Sequence, residues 1–221
     1  MEKYSEILSR CPLFSGVSPE DAERMLGCLG GKVIPVAKDR PVFLEGDPAR
    51  FMGVVLSGAI QIVRDDYYGS RSVLTVSRPG SLFGEVFACS GLETFPVSAM
   101  AMQNSTVLLL DCRRVLHSCT NACPFHTQVI KNLLQGIAGK NLALTQKIRH
   151  MAPKTTRDKL MAFLLDQAKE AGSTDFVIPY DRQALADYLG VERSAMSAEI
   201  GKMCKAGILK TTGSRFELLS I

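Results

Sequence analysis

Three cysteines and a histidine lie close together in the middle of the chain: Cys112, then Cys119 and Cys123 in the run Cys119-Thr-Asn-Ala-Cys123-Pro124-Phe125-His126. Thiolate and imidazole are the side chains that oxidise reversibly, ligate soft metals and hold haem iron. A proline suits the first position of a helix, where its missing N–H is no loss, so Pro124 places Cys123 at a helix N-terminus. The macrodipole there favours thiolate. The group is a candidate for redox sensing, for a metal, or for haem ligation alongside His126. Small apolar fillers at a crowded junction would use the same residue types. The seven cysteines of the chain are odd in number and irregularly spaced, with no Cys-x-x-Cys. That pattern argues for reduced thiols rather than a disulfide framework.

A second group offers hydrogen bonding to nucleic acid. Asp181 can cap a helix running through Tyr188, Gly190 supplies a turn, and a second helix extends from about Glu192 to Lys205. Ala184, Leu185, Leu189, Val191, Met196, Ile200 and Met203 fall where a helix-turn-helix needs apolar contacts. Arg193, Ser194, Ser197 and Ala198 are left on the exposed leading face. Between Glu192 and Arg215, five basic residues (Arg193, Lys202, Lys205, Lys210, Arg215) stand against Glu192 and Glu199. The closing segment, 208–218 with Gly213 at its centre, reads as a β-hairpin wing. Its Lys210, Ser214 and Arg215 are in reach of phosphates.

Several elements must position these groups. Glycines recur at 46, 58, 69, 80 and 91, with β-rich segments at 51–56, 59–63, 72–76, 97–102 and 106–110. Turns at that interval around short strands predict an antiparallel sandwich or barrel. A helix is expected at 19–29, and Asp111 is an N-cap for a short turn through Val115 and Leu116. Beyond Cys123, Ile130, Leu134, Ile137, Asn141, Leu144, Ile148 and Met151 form a heptad seam with one polar position. Such a seam predicts a dimer coiled coil in which Asn141 fixes the register. Because Val129, Leu133 and Leu142 widen the apolar face, a helix packed on its own domain is the alternative. Pro153 ends this helix at Ala152. Thr155 with Asp158 forms a capping box for a helix at 156–171 that turns Leu160, Phe163, Leu164 and Ala168 to one face. A short strand follows at 176–179. The expected division is a strand-rich domain at 1–122, which the family resemblance given below makes the sensor, a dimerisation helix and hinge at 123–152, and a DNA-binding domain at 153–221.

With 46% hydrophobic and 22% charged residues the composition is that of a globular protein. Its net charge of +4 is too small to argue for nucleic-acid binding without a local motif. No apolar run reaches the roughly 20 residues of a membrane helix, so no membrane partner is expected. Glu2, Lys3, Glu6 and Arg10 are followed by no apolar stretch, so a secretory signal is not read and a cytoplasmic location is expected. The motifs Gly-x-Ser-x-Gly, His-Glu-x-x-His and Gly-x-x-x-x-Gly-Lys do not occur, and the expectation is a non-enzyme.

Glycine-punctuated strands, a long dimer helix, a proline break and a winged helix-turn-helix together resemble the Crp/Fnr family of bacterial transcription regulators. The resemblance covers nearly the whole chain. Its most specific signatures are Pro79-Gly80-Ser81-Leu82-Phe83-Gly84-Glu85 and Leu189-Gly190-Val191-Glu192-Arg193-Ser194. It implies an α+β protein with an N-terminal antiparallel β-roll (a double-stranded β-helix, or jelly roll), a long dimerisation helix and a C-terminal winged helix-turn-helix domain. It also implies a homodimer on palindromic double-stranded DNA, a contact with RNA polymerase, and a small-molecule or redox signal sensed in the roll. The reading helix would set Arg193, Ser194 and Ser197 against base edges, with Ala198, Lys202, Lys210, Ser214 and Arg215 in the same interface. Many members carry Glu at the place of Ser194 and Arg at that of Ala198, so the half-site should differ from the familiar one.

Members that bind cyclic nucleotides follow Gly-Glu, some ten residues later, with Arg-Ser or Arg-Thr. Here Gly84-Glu85 is followed by Phe95 and Pro96. A phenyl ring and a residue without an N–H supply no charge-assisted phosphate contact, which disfavours cyclic AMP. An effector pocket, if there is one, would be lined by Phe83, Gly84, Glu85, Val86, Phe87, Phe95, Pro96 and Val97; the same residues also read as plain core. Iron–sulfur members use closely spaced N-terminal cysteines, whereas Cys11 and Cys28 are 17 apart, so no cluster is expected. Haem or another redox ligand stays open, and the effector is unknown. The expected function is a sequence-specific DNA-binding transcription regulator. Its alternative is a dimeric ligand- or redox-sensing protein without DNA binding.

Overall fold

The computed structural model describes residues 4–65, 67–68, 70–117 and 124–219. Glu2, Lys3, Gly69, Cys119 and Cys123 lie outside the described residues. The chain divides into two compact units, Met1–Ala138 and Gly139–Ile221.

The first unit opens with α1 (Ser5–Arg10), a 3-10 turn (Pro12–Phe14) and α2 (Pro19–Cys28). Ser18 caps α2 by accepting the Asp21 N–H at 3.1 Å, and Pro19 takes the first helical position. Strands β1 (Lys32–Val36), β2 (Pro41–Phe43), β3 (Phe51–Ser57), β4 (Ile60–Asp65), β5 (Arg71–Ser77) and β6 (Leu82–Phe83) come next. Then follow α3 (Glu85–Ala88), β7 (Ser98–Ala101), β8 (Ser105–Asp111), α4 (Cys112–Leu116) and α5 (Pro124–Met151). Among the described residues of this unit the strands form two antiparallel sheets, ordered β1-β8-β3-β6 and β2-β7-β4-β5. All five strands expected in this unit from the sequence are present. Those not expected have physical reasons for their silence. β2 and β6 are too short to show a period, and β1 is an edge strand interrupted by Pro35, which an edge position tolerates.

β3 is buried from Met52 to Leu56 without alternation because each of its faces meets a different core. Met52, Val54 and Leu56 pack with Phe14, Leu29, Leu108, Leu110, Val129 and Leu133. Val55 packs on the other side with Phe43, Ile60, Phe83, Phe95 and Val107. Between them, Gly53 leaves room for the Phe83 ring, since a Cβ built there would lie 2.1 Å from Phe83 Cζ. Gly53→Ala must therefore push a fully buried ring out of register, and overpacking of this kind costs about 1–3 kcal/mol. Urea denaturation of the full chain should show that loss; unchanged stability would mean that the ring does not rest on β3.

α5 serves two surfaces. Its first turns belong to the core of the first unit, where Val129 and Leu133 are buried and Asn132 Nδ2 donates to the carbonyls of Leu13 and Ser15 at 2.9 and 2.7 Å. That much matches packing on its own domain. Along the heptad seam, Leu134, Leu144 and Ile148 are 60–67% exposed, Asn141 is exposed, and Ile130 and Ile137 are half-buried.

The second unit carries the rest of α5, then α6 (Thr156–Ala171), β9 (Asp175–Val177), α7 (Arg182–Leu189), α8 (Arg193–Lys205), β10 (Leu209–Thr212) and β11 (Arg215–Leu218). Thr155 caps α6 by accepting the Asp158 N–H at 3.1 Å, and Leu160, Phe163, Leu164 and Ala168 are its buried residues, as the capping box and periodicity predict. β9, β11 and β10 make a small antiparallel sheet, with Phe176 opposite Phe216.

Candidate nucleic-acid interface

α7 and α8 are joined through Gly190, whose φ of 62° lies in the left-handed region that favours glycine. Asp181 Oδ1 caps α7 by accepting the Ala184 N–H at 2.8 Å. Leu185, Leu189, Met196, Ile200 and Met203 are buried together, and Ala186 rather than Ala184 completes the contact between the two helices. The opposite face of α8 is what their burial leaves. Arg193, Ser194, Ser197, Ala198 and Lys202 are all exposed. Lys202 Nζ lies 3.1 Å from Glu199 one turn back, whereas Arg193 makes no ion pair among the described residues. The first turn of α8 has Glu192 at its N-cap without a side-chain hydrogen bond, so its backbone N–H groups carry no internal cap.

The wing is less free than its composition implies. β10 and β11 pair across a tight connection in which Gly213 has a φ of 59°. Ser214 Oγ donates to the Tyr180 carbonyl at 2.9 Å, tying the tip to the segment before α7. Arg215 forks onto Asp175 with Nε and Nη2 at 2.8 and 2.6 Å, and this guanidinium holds the Asp175 carboxyl below the usual carboxylate range. Arg182 lies over the Phe216 ring and donates to Thr211 Oγ1 at 2.8 Å. Lys210 is exposed and 3.8 Å from Glu217, the loosest of these pairs. Of the three wing residues singled out in the sequence, the structure leaves Lys210 facing solvent and engages Ser214 and Arg215 within their own unit.

The end of α5 meets the helix-turn-helix through residues that sequence reasoning did not single out for this purpose. His150 is buried, with Nε2 2.9 Å from Asp166 Oδ2 and Nδ1 2.9 Å from the Tyr188 hydroxyl. When Nε2–H donates to the carboxylate, Nδ1 accepts from the tyrosine, so α5, α6 and α7 share one hydrogen-bonded chain. Burial pushes Asp166 upward, but hydrogen bonds from His150 and Arg149 outweigh it and hold the carboxyl below its ordinary value. Next to this, a Cβ on Gly190 would come within 3.0 Å of Met151 Cε. Met151, the last position of the heptad seam, thus reaches the turn of the helix-turn-helix. The only signal in the sequence was a histidine one residue before that position.

In the roll, Phe83, Phe95 and Val97 are core residues. Phe95 stacks on Phe43 with centroids 3.9 Å apart, and Phe83 and Phe87 flank the pair at 6.0 and 6.5 Å. Gly84 has a φ of 75° and leads into α3, where Glu85 is buried; Phe87 is half-buried, and Val86 and Pro96 are exposed. The residues expected around an effector are therefore spread between a filled aromatic core and the surface. Of the thiol group, Cys112 is buried at the start of α4, and His126 is buried with Nε2–H donating to the Val115 carbonyl at 2.9 Å. Among the described residues, no group of three or more His, Cys, Asp or Glu is arranged to hold a metal, and no helix is long and apolar enough to cross a membrane.

Comparisons with known proteins follow the same two-part order. Residues 33–120 match the cyclic nucleotide-binding domain model, and residues 158–221 match the Crp-like helix-turn-helix domain model. The chain is 31% identical over 99 residues to the cyclic AMP receptor protein of Thermus thermophilus, an alignment spanning 45% of this chain and 44% of that one. It is 21% identical over 192 residues to the transcriptional activator protein FnrA of Stutzerimonas stutzeri, covering 84% of this chain and 75% of the relative. The first of these alignments thus reaches less than half of the relative's length. The crystal structure of DNR from Pseudomonas aeruginosa shares the fold, with a TM-score of 0.51 at 20% identity over all of this chain and 95% of that one. A cyclic-nucleotide-binding-like domain, a long helix and a Crp-like helix-turn-helix in that order make this chain a member of the Crp/Fnr family of DNA-binding transcription regulators.

Proposed function

We propose that the protein is a homodimer that binds palindromic duplex DNA in a sequence-specific way, under the control of a signal in the roll other than cyclic AMP. The observation that carries the reading is the leading face of α8. Arg193 is exposed and makes no ion pair among the described residues, Ser194 and Ser197 lie beside it, and Met196, Ile200 and Met203 anchor the other side of the helix. An exposed Arg on an anchored helix, without an internal carboxylate partner, is suited to the O6 and N7 of guanine. Lys210 on the wing and the uncapped first turn of α8 suit phosphate, which positions without specifying.

The exposed heptad seam of α5 supplies the two-fold. Exposed leucine and isoleucine at heptad spacing on a 28-residue helix are the surface a second copy would cover. Against cyclic AMP stands the Phe95-Pro96 pair, whose ring is stacked into the core instead of presenting a cation to a phosphate. A shift of α5 reaches the DNA-binding unit through His150 and Met151.

Selection from a pool of random duplexes, followed by titration of the winners at several salt concentrations, tests this reading. The expected yield is an inverted repeat with half-site centres about one helical turn (roughly 34 to 36 Å) apart and an affinity that falls steeply with salt. No enrichment, or equal binding to every duplex, would reject it and leave a sensing protein without DNA recognition.

A further inference from the structure

Cys89 and Cys112 are 23 residues apart in sequence and both free, yet their sulfur atoms lie 2.7 Å from each other. Cys89 closes α3 as its C-cap, while Cys112 begins α4 with its backbone N–H bonded to the Arg50 carbonyl at 3.0 Å. A disulfide requires about 2.05 Å, so roughly 0.7 Å of further approach would suffice. Cys112 is 1% exposed. Cys89 is half-buried and lines an open cleft of about 470 Å³ together with Arg50, Leu92, Glu93 and Arg113. The sulfurs are within hydrogen-bond distance, and either can donate to the other. The hydrogen bond from Cys89 eases ionisation of Cys112 against the opposing effects of burial and Asp111, and the same bond, with burial, makes Cys89 much harder to ionise. Cys11, by contrast, has no such partner among the described residues, and burial pushes its thiol up to about 11.

We infer that Cys89 and Cys112 form a dithiol–disulfide site that is oxidised by a small hydroperoxide entering through the cleft. Starting from the pair with one proton lost, the remaining proton moves from Cys89 to Cys112 along the sulfur–sulfur contact, leaving thiolate at the cleft. Cys89 Sγ bonds to one peroxide oxygen, the O–O bond breaks, and hydroxide leaves, or alkoxide if the peroxide is organic. Cys112 Sγ then attacks the sulfenic sulfur, the S–O bond breaks, and the departing hydroxide takes the Cys112 proton as water. The two sulfurs lose two electrons and the peroxide gains them. A dithiol reductant reverses the change by thiol–disulfide exchange. The product ties α3, immediately after the Gly84 turn, to α4 at the end of β8. The site does not depend on the DNA-binding reading, and its test is made on sulfur alone.

The full chain, fully reduced, would be treated with a small molar excess of hydrogen peroxide, denatured in N-ethylmaleimide and analysed by intact mass and peptide mapping. Alkylatable thiols should fall by two from the seven in the sequence. One cross-linked peptide pair should contain Cys89 and Cys112, and dithiothreitol should restore both. The same cross-link should survive in Cys119→Ser/Cys123→Ser and vanish in Cys89→Ser. That last variant carries the test because Cys89 is half-buried, whereas a change at buried Cys112 risks the fold. The inference is overturned if both thiols stay alkylatable, if either ends as sulfinic acid without a cross-link, or if the cross-link joins one of them to Cys119 or Cys123.

Discussion

Leu144→Glu should hold the chain monomeric at concentrations where the proposed dimer forms. Leu144 is 60% exposed in a single chain and occupies the seam between Asn141 and Ile148. Burying a leucine contributes about 1.5–3 kcal/mol. In a two-fold dimer the same residue is buried twice, so the substitution should cost roughly 3–6 kcal/mol, or about a hundred- to ten-thousand-fold in the dissociation constant. Two carboxylates facing each other at the seam push further in the same direction. Sedimentation equilibrium over a range of concentrations reads the effect, and circular dichroism should show the fold unchanged because the site is open to solvent within one chain. Leu142→Glu is the control. Leu142 is 66% exposed but lies off the seam, so its substitution should leave the dimer intact. Dissociation by Leu142→Glu and not by Leu144→Glu would place the interface on another face of α5.

Arg193→Ala should weaken binding to the selected palindrome while leaving binding to unrelated duplex nearly unchanged. One bidentate contact to guanine discriminates by about 1–3 kcal/mol, and a dimer makes it in both half-sites. The expected loss is roughly 2–6 kcal/mol, or about thirty-fold to ten-thousand-fold in specific affinity. The slope of affinity against salt should stay the same or change little. Lys210→Ala should instead lower the slope and weaken all duplexes alike, as a phosphate contact does. Equal loss on specific and unrelated DNA after Arg193→Ala would show that this residue touches only the backbone. Because Arg215 is already committed to Asp175 and Ser214 to the Tyr180 carbonyl, the wing's contribution should rest chiefly on Lys210.

Features set by neighbours a few residues apart were legible in the sequence. The caps at Asp111, Thr155 and Asp181, the helix stop before Pro153 and the spacing around Gly190 are all local, and each is found where its motif lies. The inward set Met196, Ile200 and Met203 and the outward set Arg193, Ser194 and Ser197 follow from the same 3.6-residue period. Contacts between chain segments that meet from a distance left no such mark and emerge only in the fold. Edge strand β1 appears through its pairing with β8, although Pro35 conceals it in the sequence. Arg215 reads as a phosphate ligand until β11 pairs with β9 and brings Asp175 to it across 40 residues. His150 is one unremarked histidine until α6 and α7 fold around it. Cys89 belongs to no motif at all. It acquires a chemical partner because the turn after β6 and the end of β8 bring α3 and α4 together, and a contact between residues 23 apart leaves no period in the sequence to announce it.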